Sequence, residues 1–491
     1  MSALPVLVPV TLIVAALVAG MAGPASQRVA AVVARLGAAG GLALSLLGLM
    51  RVLDQGPVTH DLGGWPPPIG IEYVLDPLAA YMTVVITAIG LLVLAFPTRA
   101  GFEAAPPARM PLYPLTLVLL AGLSGVVLAG DLFNLFVFLE IYAISTYALV
   151  SLGGDRATFA AFRYLIFGTL GSTLYLLGVG FLYFETGTLN MADVAQRLAA
   201  IPESSAVLAG LALIVIGLSL KMALFPLHVW MPEAHTFAPP SVAALLAAVQ
   251  VKAAAYALVR ILLSVAPPEL VGDGLTATAT LAWFGAAGIV FGSVMAIAQR
   301  DVKRLLAYST VAQLGFIGLG IGLANQQGVT GALLHVANHA VMKSCLFLIA
   351  GSLLAHTGLR DIPSLAGLGR RMPLTTFAFC LAAASMVGVP PTAGFFSKLY
   401  LLLGSIEAGN WVFVVVIAAS SLLTAGYFVV MLEQVLTREP VHEAVRTAAD
   451  PGPAYLAPVM VLAVGVVVLG LGNLSIVDGI LAPATSALLA P

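Results

Sequence analysis

Glu140, Lys221, Lys252, Lys343 and Lys398 each stand inside a stretch that otherwise asks for hydrocarbon, as in "LALIVIGLSLKMALFP" around Lys221. Placing one charge at the centre of a spanning helix costs about 2.5–3.5 kcal/mol on insertion scales. Five such groups would consume a domain's usual margin of about 5–15 kcal/mol unless they are paired, neutralised or wetted. A buried lysine readily gives up its proton, whereas arginine stays charged. The sequence keeps the two types apart. Lys221, Lys252, Lys343 and Lys398 are four of the 21 basic residues and fall at depth, while every arginine lies in a loop or near a helix end. Glu140, in "GDLFNLFVFLEIYAISTYALV", is the only acidic residue at mid-depth, since Glu433 falls near the end of its helix. A lone carboxylate beside titratable lysines supplies the ingredients of a coupled proton site, because each group shifts the other's protonation. The competing reading is a static Glu140–Lys221 salt bridge, and buried pairs are often poor stabilisers.

Further candidates surround these five. Lys221 is followed by "FPLHVWMPEAHTFAPPSV", where Pro226 and Pro232 lack an N–H and interrupt the helix. Interrupted helices at membrane depth occur where they line a cavity, and they often mark transport sites. His228 is the better relay candidate after this break and His235 falls nearer the inner surface; satisfied polar side chains at a helix end are an equal alternative for both. Lys252 has Gln250 nearby, and Tyr256, four residues on, shares its helix face as a possible relay. In "HVANHAVMKS", His335, His339 and Lys343 at i, i+4 and i+8 stack three titratable groups on one face. Histidines so spaced can bind metal, but no acidic or thiol ligand follows and Lys343 would repel a cation, so a proton path is preferred and no metal is expected. "VGVPPTAGFFSKLYLL" places Pro390, Pro391 and Gly394 as a second break ahead of Lys398. No phosphate loop, dinucleotide fingerprint or nucleophile motif occurs, so no cofactor is expected.

The elements that must hold these residues follow from composition. Of 491 residues 60% are hydrophobic and 9% charged, against about 45–50% apolar in soluble chains. An all-α polytopic membrane protein is expected, one integral domain over 1–491. Spans need about 20 apolar residues, and fourteen are read at 5–22, 29–50, 76–96, 112–129, 132–151, 163–184, 205–231, 241–264, 276–298, 304–323, 330–355, 374–402, 411–434 and 455–475. The seventh and twelfth combine a proline break with a buried lysine. They lie five spans apart, which is the arithmetic of two inverted five-helix repeats: spans four to eight (112–265) and nine to thirteen (276–435), flanked by 1–97 and 455–475. In the long connection 185–204, "NMADVAQRLAAI" puts Met191, Val194, Leu198 and Ile201 on one face of a short helix at the membrane surface or of an amphipathic connector. The apolar N-terminus has no basic residue ahead of it and is read as the first span, not a signal. Cys345 and Cys380 suit buried small side chains. A net charge of −1 excludes a nucleic-acid footprint.

With the N-terminus outside, the inner loops collect Arg28, Arg35, Arg99, Arg109, Arg156, Arg163, Arg300, Lys303, Arg304, Arg360, Arg370, Arg371, Arg438 and Arg446, and outer segments keep Arg51, Arg197 and Arg260. Both termini are therefore expected outside the cytoplasm.

At these residues the chain resembles the antiporter-like subunits shared by respiratory complex I, membrane-bound hydrogenases and multisubunit Mrp-type cation/proton antiporters. The resemblance spans almost the full length and rests on Glu140, Lys221 with its break, Lys252, "QRDVKRLLAYSTVAQLGF", "HVANHAVMKS" and "GVPPTAGFFSK". "GGWPPPIGI" and "GDLFNLFVFLEI" are most similar to the D subunit of the Mrp antiporters. The likeness implies a multi-pass subunit of the cell (inner) membrane that moves protons, assembled with Mrp A, B, C, E, F and G type partners around proton and sodium exchange. It implies that Glu140 and Lys221 form the coupled pair, Lys252 with His335 and His339 the central relay, and Lys398 the terminal lysine. The chain stops just after span fourteen, without the long lateral extension of the largest complex I relative. One carboxylate among four lysines is a poor sodium site, so the exchanged cation is expected to cross elsewhere in the assembly. The alternatives are a proton-pumping subunit of a hydrogenase or complex I-type redox complex, and a non-conducting scaffold whose buried charges only specify packing.

Overall fold

The computed structural model describes residues 3–97, 111–201 and 204–490, with only the backbone at Asp273. Arg99 and Arg109 of the expected inner set lie outside the described residues. Among the described residues, twelve helices have the length and apolarity to cross a membrane, and Leu112–Leu128 and Pro373–Val387 are shorter apolar helices that complete the fourteen expected spans. Boundaries move by a few residues. Span six begins at Asp155 behind Gly154, whose φ of +100° only glycine adopts readily, so it runs Asp155–Thr186 instead of starting at 163. Span eleven is likewise longer, Gln326–Thr357, with the Asn325 side chain capping Gly328 N–H.

Interior and rim spans differ in burial. Spans eight (Pro240–Val265) and ten (Val302–Leu323) are almost wholly enclosed, whereas spans one and fourteen show most of their surface. Apolar side chains such as Phe184, Leu422 and Leu471 point outward, as expected where lipid or another apolar surface replaces water.

Two features were not legible in the sequence. Residues 51–75 hold a small antiparallel hairpin, β1 (Val58–Asp61) paired with β2 (Glu72–Leu75), a local departure from an all-helical chain. Beyond span fourteen, residues 473–488 are also helical and pack back on span eleven, with Gln326 donating to Ala482 O (3.1 Å) and Thr330 to Thr485 (3.2 Å). The connecting helix Met191–Ala200 buries Val194 and Leu198 completely against the protein, so it is an intramolecular connector and does not lie on the membrane through that face. On its wet side Arg197 hydrogen-bonds Asp193 and holds that carboxyl below the usual carboxylate range.

One end of the bundle is fastened by a charge pair. Arg260 of span eight donates to Asp76, which also caps span three through Ala79 N–H (2.8 Å); Arg260 Nε bonds the Tyr256 hydroxyl (2.8 Å), which donates to Val127 O of span four (2.7 Å). Truncating Arg260 to alanine strands partly buried acceptors at a cost of about 1–3 kcal/mol. A lower thermal midpoint in detergent is the expected result, read by intrinsic fluorescence.

Candidate functional site

Lys221 is 3% exposed and occupies the last turn of the first half of span seven, Ser205–Met222. Its Nζ lies 3.2 Å from Glu140 Oε1 of span five, 3.5 Å from Leu139 O and 5.5 Å from the Tyr142 ring centroid. Ser172 of span six donates to the same carboxylate oxygen. The carboxylate is thus shared between a hydroxyl and an ammonium, and loss of the ammonium leaves its charge without a counter-charge in a poorly polar place. Glu140 keeps 26% of its side chain exposed. It faces the flank of the bundle.

The break after Lys221 runs from Ala223, which takes a left-handed φ of +59°, to Trp230, and helix resumes over Met231–Phe237. Pro226 lies within the break. Pro232 does not: it occupies the first turn of the resumed helix, where its missing N–H is harmless, and so starts a helix that it was expected to interrupt. The carbonyl of Leu220, which closes the helix end by accepting from Ala223 N–H (3.0 Å), also accepts from Trp230 Nε1 (3.0 Å). Trp230 stacks on Tyr164 at 4.0 Å, and the Tyr164 hydroxyl accepts from Gln250 Nε2 (2.6 Å). This chain of contacts joins the first break to the neighbourhood of Lys252.

Lys252 is 1% exposed and follows a widened, π-type turn over Leu246–Gln250; its ammonium bonds the Ala247 carbonyl within that turn. Such turns re-aim backbone carbonyls and recur at functional sites. Lys343, fully buried in span eleven, donates to Leu306 O (2.8 Å) and to the Ser309 hydroxyl, both on span ten. One helical turn away His339 stacks on His335 at 5.6 Å, with ring planes 7° apart. Among the described residues, both ring nitrogens of His339 lack a hydrogen-bond partner, whereas His335 uses both of its own.

Span twelve is broken between Pro373–Val387 and Ala393–Glu407. Gly388, at a φ of +94°, ends the first half, and Pro390 and Pro391 fall in the gap. Gly394 is inside the second half, not in the break. A methyl there would collide with Ser385 O, so its smallness lets the two halves pass in contact. Lys398 reaches back across the gap to the carbonyls of Met386 (2.9 Å) and Val387 (3.0 Å), with Ser421 Oγ at 3.2 Å and the Phe316 ring centroid at 5.1 Å. Those carbonyls have no onward helical partner and carry the negative end of the half-helix dipole, a natural seat for a cation.

Other expectations move. His228 does not join the lysine row; its ring packs on Phe225 (5.4 Å) and Phe291 (4.9 Å). His235 is the histidine at the centre. It is completely buried rather than near a surface, neither ring nitrogen has a hydrogen-bond partner among the described residues, and Lys252, Lys343 and Lys303 act on it electrostatically. Tyr256 is held by Arg260 and Val127 O, with no bond to Lys252. Lys303, counted with the loop residues, is 6% exposed and donates to Ala238 O at the end of the resumed half of span seven. Short polar residues were missed as well: Ser172, Ser309, Gln313 and Ser397 sit in largely apolar stretches, three of them next to a second polar residue. A buried hydroxyl or amide in such a run is a usable signal, but only its partners distinguish a network from a side chain bonded to its own helix.

Two broken helices framing an enclosed row of lysines and histidines, with one flanking ion pair, define an antiporter-like membrane subunit. The chain belongs to the family described as NADH:quinone oxidoreductase/Mrp antiporter, TM, which matches residues 129–424. It is 47% identical over 452 residues, 90% of both chains, to the N subunit of the NADH-quinone oxidoreductase of Desulforudis audaxviator. To the D subunit of the Na(+)/H(+) antiporter of Alkalihalophilus pseudofirmus it is 33% identical over 388 residues, 78% of this chain and 77% of that one. A chain in the structure of the Mrp complex from Dietzia sp. DQ12-45-1b superposes with a TM-score of 0.90 at 27% identity, covering 100% of this chain and 98% of that one.

Proposed function

We propose that this chain carries protons across the membrane as one subunit of a larger assembly, along Lys221, Lys252, the span-eleven histidines and Lys398, gated by Glu140. The carrying observation is the enclosed placement of Lys221, Lys252, Lys343 and Lys398 against carbonyl, hydroxyl or carboxylate oxygens, with His235 and His339 among them and without a hydrogen-bond partner among the described residues. When Lys221 is charged it pairs with Glu140. Weakening that pair favours release of the Lys221 proton towards Lys252. The two five-helix units, each with one broken helix, would supply the two half-paths.

The partial exposure of Glu140 favours a partner. A carboxylate on the flank of a spanning helix is costly against lipid, and a neighbouring subunit's polar group would relieve it. A cation/proton antiporter of the Mrp type is the first reading, with Mrp-type companions and the exchanged cation crossing elsewhere. A redox-driven pump is the second reading, favoured by the higher identity to an N subunit of an NADH-quinone oxidoreductase. Both place the chain in the cell membrane, with its termini outside the cytoplasm by the arginine count. Purification with bound partners separates the two. Proton movement in vesicles carrying the full complex, driven by a cation gradient or by the complex's redox reaction, tests the common part: Lys221→Ala and Lys398→Ala should each abolish it, and near wild-type proton movement in both would sink the proposal.

A further inference from the structure

Three polar side chains from three helices meet at His335. Gln313 of span ten places Oε1 2.9 Å from Nε2, and Ser397 of the second half of span twelve places Oγ 2.9 Å from Nδ1. Ser397 Oγ also lies 3.3 Å from the Gly394 carbonyl. All three side chains are fully buried.

The donor and acceptor inventory constrains this contact. An amide oxygen can only accept, so with Gln313 Oε1 facing it His335 Nε2 carries hydrogen whether the ring is neutral or charged. The two charge states therefore differ at Nδ1. In the neutral ring Nδ1 is an acceptor, and the Ser397 hydroxyl must donate to it. In the charged ring Nδ1 is a donor, and the hydroxyl hydrogen must point elsewhere. The Gly394 carbonyl is within reach, so reversal needs rotation of one O–H and no movement of heavier atoms.

We propose that Ser397 is a hydroxyl switch that lets His335 hold a proton at Nδ1 by turning its own O–H to the Gly394 carbonyl. Resting on the proton-row reading above, it ties the charge on span eleven to the half-helix whose next residue is Lys398. Lys398 of span twelve and Lys252 of span eight also act on His335, His339 stacks on it from its own helix, and Phe316 of span ten packs against it. Beside two lysines, a charged ring needs an oxygen acceptor at each nitrogen: Gln313 Oε1 serves Nε2 in both charge states, and Ser397 Oγ is the one that must change role at Nδ1. Hydrogen bonds to ionised groups are roughly twice as strong as neutral ones, so losing the hydroxyl weighs mainly on the charged ring.

The test is the pH profile of proton movement by the full complex in vesicles, with assembly checked on the same preparations. Ser397→Ala should move the histidine-dependent midpoint about one pH unit lower, the equivalent of about 1.4 kcal/mol. Ser397→Cys, of similar size but with a weak sulfur donor and acceptor, should move it the same way, and it carries the test if the alanine variant does not assemble. Ser397→Thr keeps the hydroxyl and should keep the profile. A wild-type midpoint in the alanine or cysteine variant overturns the switch. His335→Ala separates this failure from the deeper one: wild-type transport without His335 removes the histidine from the path, while lost transport beside an unshifted serine variant removes only the switch.

Discussion

Glu140→Gln is expected to lower proton movement by about tenfold or more, because each 1.4 kcal/mol lost from the coupling between carboxylate and lysine is a factor of ten. Glutamine keeps the size and can still accept from Ser172, so packing changes little. What it removes is the charge opposite Lys221 Nζ, 3.2 Å away and on a lysine 3% exposed. Removing one partner of a buried pair costs about 3–5 kcal/mol when the other stays charged. Here the lysine can instead shed its proton, so assembly should survive while Lys221 stays neutral through the cycle. Pairing Glu140→Gln with Lys221→Met should leave assembly and thermal midpoint near wild type and transport absent. Wild-type transport in the single variant would reduce the pair to a packing element; failed assembly in the double variant would show that the charges hold spans five and seven together.

Gly394→Ala is the second variant of large expected effect. Its added methyl meets the Ser385 backbone carbonyl, an atom that cannot rotate away. Overpacking of this kind costs about 1–3 kcal/mol in a close-packed interior. The strain falls between the two halves of span twelve, so it should also shift the Lys398 ammonium from Met386 O and Val387 O and Ser397 from His335. Transport and thermal midpoint should fall together. Gly426→Ala is the control: its added methyl would have no atom within 4 Å, and both readouts should be unchanged. Equal behaviour of the two would show that the closeness of the halves is immaterial.

The sequence carried the spans and their chemistry because both depend on local rules. Hydrocarbon length marks a span, proline removes a donor, and a lysine in such a run is expensive wherever it packs. Glu140, Lys221, Lys252, Lys343 and Lys398 could therefore be named before their partners. The errors fell where a residue's meaning depends on another segment. His228 and His235 look alike in sequence, yet His228 lies within the break and packs on phenylalanines, whereas His235 sits on the resumed helix Met231–Phe237 and is enclosed among lysines. Lys303 reads as a loop residue beside Arg304, but its long side chain reaches inward to Ala238 O.

The same division explains the two breaks. In sequence they do not match, since Lys221 precedes its break and Lys398 follows its own. In the fold Lys398 reaches back to the carbonyls at the end of the half-helix before its break, while Lys221 stands in the last turn of the corresponding half-helix. Both ammoniums thus stand beside the end of a half-helix. By itself the sequence determined that this is a helical membrane protein with titratable groups at depth, because insertion energy is counted residue by residue. Only the tertiary structure decided which oxygen faces each lysine and histidine, because a hydrogen-bond partner on another helix leaves no periodic trace in either segment.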